Sequence, residues 1–150
     1  MDRLALERKA LVRVYLYMVG TFYVSKTVVV ECDRIRDEER RQMHDSSISV
    51  QFLDLPVQCV SRVDERAAYL LGFHSKQGDC RVLAEAEDLG LNVLLTYDGD
   101  FKKRLAPVAN AVSVLTPSEY WERLGIARGT PPRRVPDYIN PLSKQSWWQW

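Results

Sequence analysis

The chain has 150 residues, of which 46% are hydrophobic and 27% are charged, and its formal net charge is +1. These are the values of an ordinary soluble globular protein, long enough for one α/β domain with a core and too short for two. The near-neutral charge excludes a global attraction to nucleic acid or to an anionic membrane, so contact with RNA requires a local basic cluster, such as Lys102, Lys103 and Arg104.

Cysteine usage and the apolar runs predict a cytoplasmic protein. The three cysteines, Cys32, Cys59 and Cys80, are widely spaced and form no CxxC or Cys/His cluster, which argues against a structural zinc site and favours a reducing compartment. The longest apolar-rich run, Val14–Ser25, is shorter than the roughly 20 residues of a membrane-spanning helix. The first residues also lack the pattern of a secretory signal.

Helical and strand patterns alternate along the chain. Apolar residues at helical spacing indicate helices, and runs of β-branched and aromatic residues indicate strands. The predicted elements are, in order, a helix over 4–19 with Glu7 on its surface, a strand over 22–24, a helix over 26–43, a strand over 48–55, helices that begin near Ser61 and Gly78, strands over 92–96 and 108–115, and a helix after Thr116. This order predicts an α/β fold with a parallel sheet covered by helices.

Several helix boundaries carry capping signals. Ser25 is a candidate N-cap, and Ser61 with Asp64 has the spacing of a capping box. Gly90 is placed to end the helix that begins near Gly78. The run Thr116–Glu119 combines a capping threonine, a proline at the first helical position and a glutamate at the third, and it predicts a helix that Gly125 ends.

The last residues differ in character from the rest. They are rich in proline, contain an Arg133–Arg134 pair and end in Trp147, Trp148 and Trp150. We therefore divide the chain into a domain over residues 1–124 and a tail over 125–150. The tail is either a mobile extension or a segment that docks its tryptophans on the domain, on a second subunit or on another protein. Docking is favoured, because exposed tryptophans are costly.

Three acidic residues stand where a ligand site of a parallel α/β sheet would form. Glu31 lies early in a predicted helix, Asp79 lies at the start of another, and Asp98 follows a buried strand. Each has an ordinary alternative. Asp79 is a suitable N-cap, Glu31 alone would be a surface residue of its helix, and Asp98 with Asp100 would be turn residues around Gly99.

Taken together, the segments around these residues resemble PIN domains, a family of metal-dependent ribonucleases, and in particular its VapC-like members. Gly78–Ala86 and Leu94–Phe101 resemble the family's later signature, in which an aspartate opens a helix and a strand ends in a Thr-x-Asp-x-Asp-Phe-like turn. Tyr23–Glu31 looks like the second strand, capping serine and helix-borne glutamate, and Val112–Trp121 is similar to the closing strand and helix. The resemblance covers residues 3–124.

The resemblance implies a three-layer α/β/α fold and an acidic pocket that holds magnesium or manganese. The implied ligands and catalytic residues are Glu31, Asp79 and Asp98, with the hydroxyl of Thr96 and the carboxylate of Asp100 in support. In such a site the metal ion lowers the pKa of a water that attacks the RNA phosphodiester. The family further implies a homodimer and a cognate antitoxin protein that silences the nuclease.

The chain departs from the family at its beginning. PIN domains open with a hydrophobic strand that ends in a metal-binding aspartate, and no such strand is predicted here. The nearest imitation is Val12–Tyr17, where Tyr17 replaces the aspartate, but too little chain separates it from Glu31 to hold the family's intervening helix. Either the true start lies upstream of Met1, or the first strand has been lost and the nuclease is impaired.

Two other functional classes stay open. The first is a non-catalytic PIN-fold module that binds RNA or protein through its basic cluster and tail. The second is an unrelated small α/β domain whose carboxylates are caps and turn residues. His44 and His74 have no identifiable nucleophile partner, and no glycine-rich phosphate loop is present, so hydrolysis by a Ser/His or Cys/His pair is not supported.

Overall fold

The computed structural model describes residues 2–34, 36–38 and 52–150. These residues form a mixed α/β structure with short parallel strand pairs. Its elements are α1 (Arg3–Tyr17), β1 (Tyr23–Val24), α2 (Lys26–Asp33), β2 (Leu53–Asp54), α3 (Val60–Leu70), α4 (Gln77–Leu89), β3 (Val93–Leu95), α5 (Gly99–Leu105), β4 (Ser113–Leu115) and α6 (Pro117–Leu124), with 3₁₀ turns at Ala106–Val108 and Pro141–Lys144. No helix of the described residues is long and apolar enough to cross a membrane.

The chain divides into two compact units. The first contains the segments up to Gly20, Leu95–Tyr97 and Leu115–Trp150. The second contains the described parts of Thr21–Leu94 and Asp98–Val114. The predicted acidic residues Glu31, Asp79 and Asp98 all belong to the second unit.

The first two strands, β1 and β2, form a parallel pair in the second unit. β1 and β2 pair with Tyr23 opposite Leu53 and Val24 opposite Asp54. The strand predicted over 22–24 is therefore confirmed, and the strand predicted over 48–55 is observed as β2. Positions 48–51 of that prediction lie outside the described residues.

The helix after β1 is shorter than predicted. The hydroxyl of Ser25 accepts a backbone N–H from the first turn of α2, at 3.1 Å, as its predicted capping role requires. The prediction of a continuous helix to Met43 is wrong, because α2 ends at Asp33. There the N–H of Arg34 donates to the carbonyl of Glu31 in a tighter turn, and the α-helical hydrogen-bond pattern stops. Positions 39–43 lie outside the described residues.

A buried apolar cluster holds the second unit together. α3 packs against α4, and α4 packs against α2 and α5. Burying apolar side chains stabilises the fold by about 25 cal/mol per Å² of surface removed from water. The cluster consists of Val63, Leu70, Cys80, Leu83, Ala84, Ala86, Leu94, Phe101, Leu105, Val112 and Val114.

The second strand pair is also shorter than predicted. β3 pairs with β4, and the N–H of Ser113 donates to the carbonyl of Asn92 at 2.9 Å. The strand predicted over 108–115 is wrong in its first half, which begins in the 3₁₀ turn Ala106–Val108. Pro107 explains the turn, since proline has no N–H for a strand ladder but fits the first turn of a helix.

The start of α3 is capped from a neighbouring helix. The predicted capping box of Ser61 and Asp64 is wrong, because the N-cap is Cys59 and makes no side-chain capping bond. Instead, a carboxylate oxygen of Asp88 on α4 accepts the backbone N–H groups of Gln58 at 2.8 Å and Cys59 at 3.3 Å. The cap is a tertiary contact between α3 and α4.

Replacing Asp88 with alanine is expected to lower the free energy of unfolding by about 1–2 kcal/mol. The reason is that two backbone donors at the start of α3, one exposed and one half-buried, lose their acceptor. Urea unfolding followed by circular dichroism measures the change. The control is Glu65→Ala, which removes an exposed carboxylate from α3 itself. Equal stability of the two variants would contradict the capping role.

The pH dependence of this contribution has a definite sign. Burial by itself raises the pKa of Asp88, but hydrogen bonds from Gln58, Cys59 and Arg62 outweigh it and hold the pKa below its ordinary value of 3.8. Because the pKa of Asp88 is lower in the folded state than in the unfolded state, its contribution to stability is fully present above the unfolded-state pKa. That contribution is lost as the pH falls through the folded-state pKa. The stability difference between wild type and Asp88→Ala should therefore shrink below about pH 4.

The first unit pairs α1 with α6. Thr116 and Glu119 form the predicted capping box, and Gly125 ends α6 with a φ of 59°. The surface position predicted for Glu7 is wrong, since Glu7 is buried. Its carboxylate accepts the N–H of Ser118 at 2.9 Å and the hydroxyl at 2.7 Å, so it adds a second acidic cap to α6.

The C-terminal tryptophans dock within the first unit. Trp148 is buried and donates its indole N–H to a backbone carbonyl of the same segment. The indole N–H of Trp150 donates to the carbonyl of Ile126 at 2.7 Å. The guanidinium groups of Arg13 and Arg128 lie 5.0 and 3.8 Å from the centre of the Trp150 ring, which is cation–π geometry.

Arg134 in the same segment caps the end of α1. Its guanidinium donates to the carbonyls of Tyr15, Met18 and Gly20, each at 2.8 Å. The carbonyl of Tyr15 is one of those that a helix end leaves without a partner in the helix, Met18 is the C-cap of α1, and Gly20 lies just beyond it. The tail is thus part of how α1 is held.

Candidate functional site

The first predicted ligand, Asp79, lies in the first turn of α4. Its interpretation as the N-cap is wrong, because Lys76 occupies that position. The Oδ2 atom of Asp79 lies 2.7 Å from Nε2 of His74. His74 is buried, and the hydrogen bond fixes the orientation of the Asp79 carboxylate.

The second predicted ligand, Glu31, reaches the same turn from α2. A Cβ atom on residue 78 would overlap the Glu31 Oε1 atom and would lie 3.3 Å from its Cδ atom. The glycine at position 78 therefore lets the carboxylate of Glu31 approach the backbone directly before Asp79. Any larger residue would force the carboxylate to turn away.

The third predicted ligand, Asp98, begins α5. Its Oδ1 accepts the backbone N–H groups of Asp100 at 2.8 Å and Phe101 at 3.3 Å. The interpretation of Asp98 and Asp100 as simple turn residues is therefore wrong, since they form the cap and first turn of a helix. The Oδ2 of Asp98 lies 3.4 Å from Nζ of Lys76, the N-cap of α4.

Electrostatics favour the ionised form of Asp98. Burial alone raises the pKa of Asp98, but the N–H groups of Phe101 and Asp100 and the ammonium of Lys76 hold the pKa below its ordinary value. Asp98 is thus a carboxylate at neutral pH and able to act as a donor to a cation.

Each of the three carboxylates contacts, or belongs to, a residue at the N-terminal end of α4. Glu31 contacts Gly78, Asp79 lies in the first turn of α4, and Asp98 reaches the N-cap residue Lys76. In the part of the chain that the structure describes, no three His, Cys, Asp or Glu side chains are close enough to share a metal ion. The chemistry of the donor set fits magnesium or manganese, because both prefer carboxylate oxygens.

Of the two supporting residues, Asp100 shares α5 with the basic cluster, whereas Thr96 belongs to the first unit. Thr96 follows β3 in the first unit, where its N–H donates to the carbonyl of Leu115 at 3.0 Å. Asp100 and Arg104, both on α5, line an open cleft of about 430 Å³ in the second unit. Lys103 is exposed, and Lys102 is half-buried.

Two residues of this region, His74 and Glu85, were not predicted from the sequence to belong to the site. His74 lacked an evident partner, although the short segment between α3 and α4 was a signal that it lies near Asp79. Glu85, on α4, is 2% exposed and accepts the Thr27 hydroxyl at 2.9 Å, which ties α4 to α2 beside Glu31. The signal for Glu85 was an acidic residue among the apolar positions of a helix.

No relative of this chain was found in the comparisons with known proteins. No protein-family model matches the chain, and no match was found among curated proteins or among solved structures. The likeness to PIN domains rests on the sequence motifs alone. The function that it implies is accordingly a proposal.

Proposed function

We propose that this chain is a magnesium- or manganese-dependent ribonuclease of the PIN, VapC-like type, with the three-layer α/β/α architecture of that family. The observation that carries the proposal is the approach of Glu31, Asp79 and Asp98 to one helix end, the N-terminus of α4. These are the residues that the sequence motifs single out. A site of this type takes RNA as substrate, and the proposal includes a homodimer and a cognate antitoxin, as expected of a cytoplasmic toxin–antitoxin pair.

The chemistry assigns a task to each side chain. Glu31, Asp79 and Asp98 would hold the divalent ion, which when bound supplies Lewis-acid activation of a water. His74 keeps the carboxylate of Asp79 in a fixed orientation through its 2.7 Å hydrogen bond. Lys76 lies beside Asp98 and offsets its negative charge. This lowers the repulsion between the carboxylates and the phosphate of the substrate.

The alternative candidate is a non-catalytic module of the same fold that binds RNA or protein. One observation favours it, namely that two of the three carboxylates already have basic partners. Asp79 bonds to His74, and Asp98 lies beside Lys76. In this alternative the carboxylates serve the structure, and the chain binds its partner without hydrolysing it.

Manganese titration by calorimetry separates the two candidates. Wild type is expected to bind manganese, and an Asp79→Asn, Asp98→Asn double variant is expected to show no measurable binding, because neutral amides replace two charged donors. The matched control is Glu122→Gln, Asp137→Asn, which makes the same change of charge at exposed positions. Failure of wild type to bind manganese, or equal binding by the double variant, would refute the metal site.

A further inference from the structure

The cleft in the second unit adjoins the predicted acidic residues, since Asp100 and Lys76, the partner of Asp98, both line it. It has a volume of about 430 Å³, within the range of roughly 300–1,000 Å³ typical of small-ligand sites. It lies between the segment that joins α3 to α4 and one face of α5. Its lining consists of Leu71, Gly72, Phe73, His74, Ser75, Lys76, Asp100 and Arg104.

Phe73 is the aromatic residue of the cleft lining, and Tyr69 lies next to it outside the lining. The side chain of Phe73 is 40% exposed, and its ring centre lies 5.5 Å from that of Tyr69, which is 60% exposed. The guanidinium of Arg66 lies 5.3 Å from the centre of the Tyr69 ring. The exposed Phe73 ring, in contact with the ring of Tyr69, is a surface on which a planar heterocycle can stack.

The lining also carries two cations, Lys76 and Arg104, and the carboxylate of Asp100. Lys76 lies beside Asp98, so Arg104 is the cation of the lining that makes no salt bridge with a carboxylate of the described residues. His74 is engaged by Asp79, and the hydroxyl of Ser75 is at the cleft as a further hydrogen-bonding group. A ligand that fits this lining has a flat ring and an anionic group a short distance from it. A nucleotide has both features.

We propose that this cleft binds one nucleotide of a single-stranded nucleic acid, with the base stacked on Phe73 and the phosphate held by Lys76 and Arg104. Lys76 also lies beside Asp98, so a strand held in the cleft has its next phosphate close to the acidic residues. The identity of the strand as RNA rests on the proposed ribonuclease function. The stacking and charge argument does not depend on it.

The test is binding of a fluorescein-labelled strand of about ten nucleotides, measured by anisotropy in EDTA and at low salt so that no cleavage occurs. RNA and DNA of the same sequence are compared. Phe73→Leu keeps an apolar side chain but removes the stacking plane, and it is expected to weaken binding by roughly tenfold. Arg104→Ala is expected to weaken binding and, when the titration is repeated at several salt concentrations, to lower the salt slope by about 0.7.

The matched controls remove an aromatic ring or an arginine from the first unit, at positions far from the cleft residues in sequence. Tyr138→Ala removes a ring that is 85% exposed, and Arg123→Ala removes an arginine from the last turn of α6. Both are expected to bind within about twofold of wild type. If wild type binds neither strand, or if Phe73→Leu and Arg104→Ala bind as tightly as the controls, the cleft proposal is wrong.

The outcome also separates this inference from the proposed function. Binding that depends on Phe73 and Arg104, together with no manganese-dependent cleavage of RNA, would support the cleft and refute the nuclease. Binding of DNA but not RNA would support the cleft and again refute a ribonuclease. Cleavage of RNA that is unaffected by both substitutions would support the nuclease and refute the cleft.

Discussion

Replacing both Asp79 and Asp98 with asparagine is expected to slow manganese-dependent cleavage of RNA by at least about 100-fold. The physical reason is the loss of two negative donors at the end of α4, where neutral amides bind a hard cation weakly. Single-turnover cleavage of a labelled RNA, with and without manganese, measures the effect under conditions in which substrate release does not limit the rate.

The control for this prediction is again Glu122→Gln, Asp137→Asn, which should cleave at the wild-type rate. Circular dichroism of the Asp79→Asn, Asp98→Asn variant shows whether it is folded, since Asp98 also caps α5. Cleavage by the folded double variant at the control's rate would mean that these carboxylates are caps and hydrogen-bond partners and carry no catalysis. The cleft would then be tested on its own by the binding assay.

Replacing Trp121 with alanine is expected to lower the free energy of unfolding by about 3–5 kcal/mol, a large share of the stability of a small protein. Trp121 is 9% exposed and meets two other rings edge-on, those of Tyr17 at 5.5 Å and Trp150 at 5.3 Å between centres. Its removal leaves a cavity between α1, α6 and the C-terminal segment, all within the first unit. Guanidinium unfolding followed by far-UV circular dichroism reports the change without relying on tryptophan fluorescence.

Tyr138→Ala is the control for Trp121→Ala, because the Tyr138 ring is 85% exposed and its loss should change stability by less than about 0.5 kcal/mol. A loss of stability in Trp121→Ala as small as in this control would show that the ring cluster does not hold the C-terminal segment. The segment would then contribute to the first unit mainly through Arg134 and backbone hydrogen bonds.

The sequence by itself determined the features whose hydrogen-bond partners are a few residues away. The capping box of Thr116 and Glu119, the Ser25 cap and the glycine ends of two helices at Gly90 and Gly125 were all predicted and observed. Each depends on the geometry of one turn, which neighbouring residues specify directly. The position of Asp79 at the start of a helix was also predicted from local pattern, whereas the helix that Asp98 begins was not.

Tertiary structure alone decided where buried carboxylates find their donors. Glu7 and Asp88 accept backbone N–H groups at the starts of helices distant in sequence. A carboxylate removed from water is costly unless hydrogen bonds satisfy it, and which donors are in reach depends on how the helices pack. The approach of Glu31 to Gly78 has the same origin, because no local signal in α2 specifies which helix lies beside it.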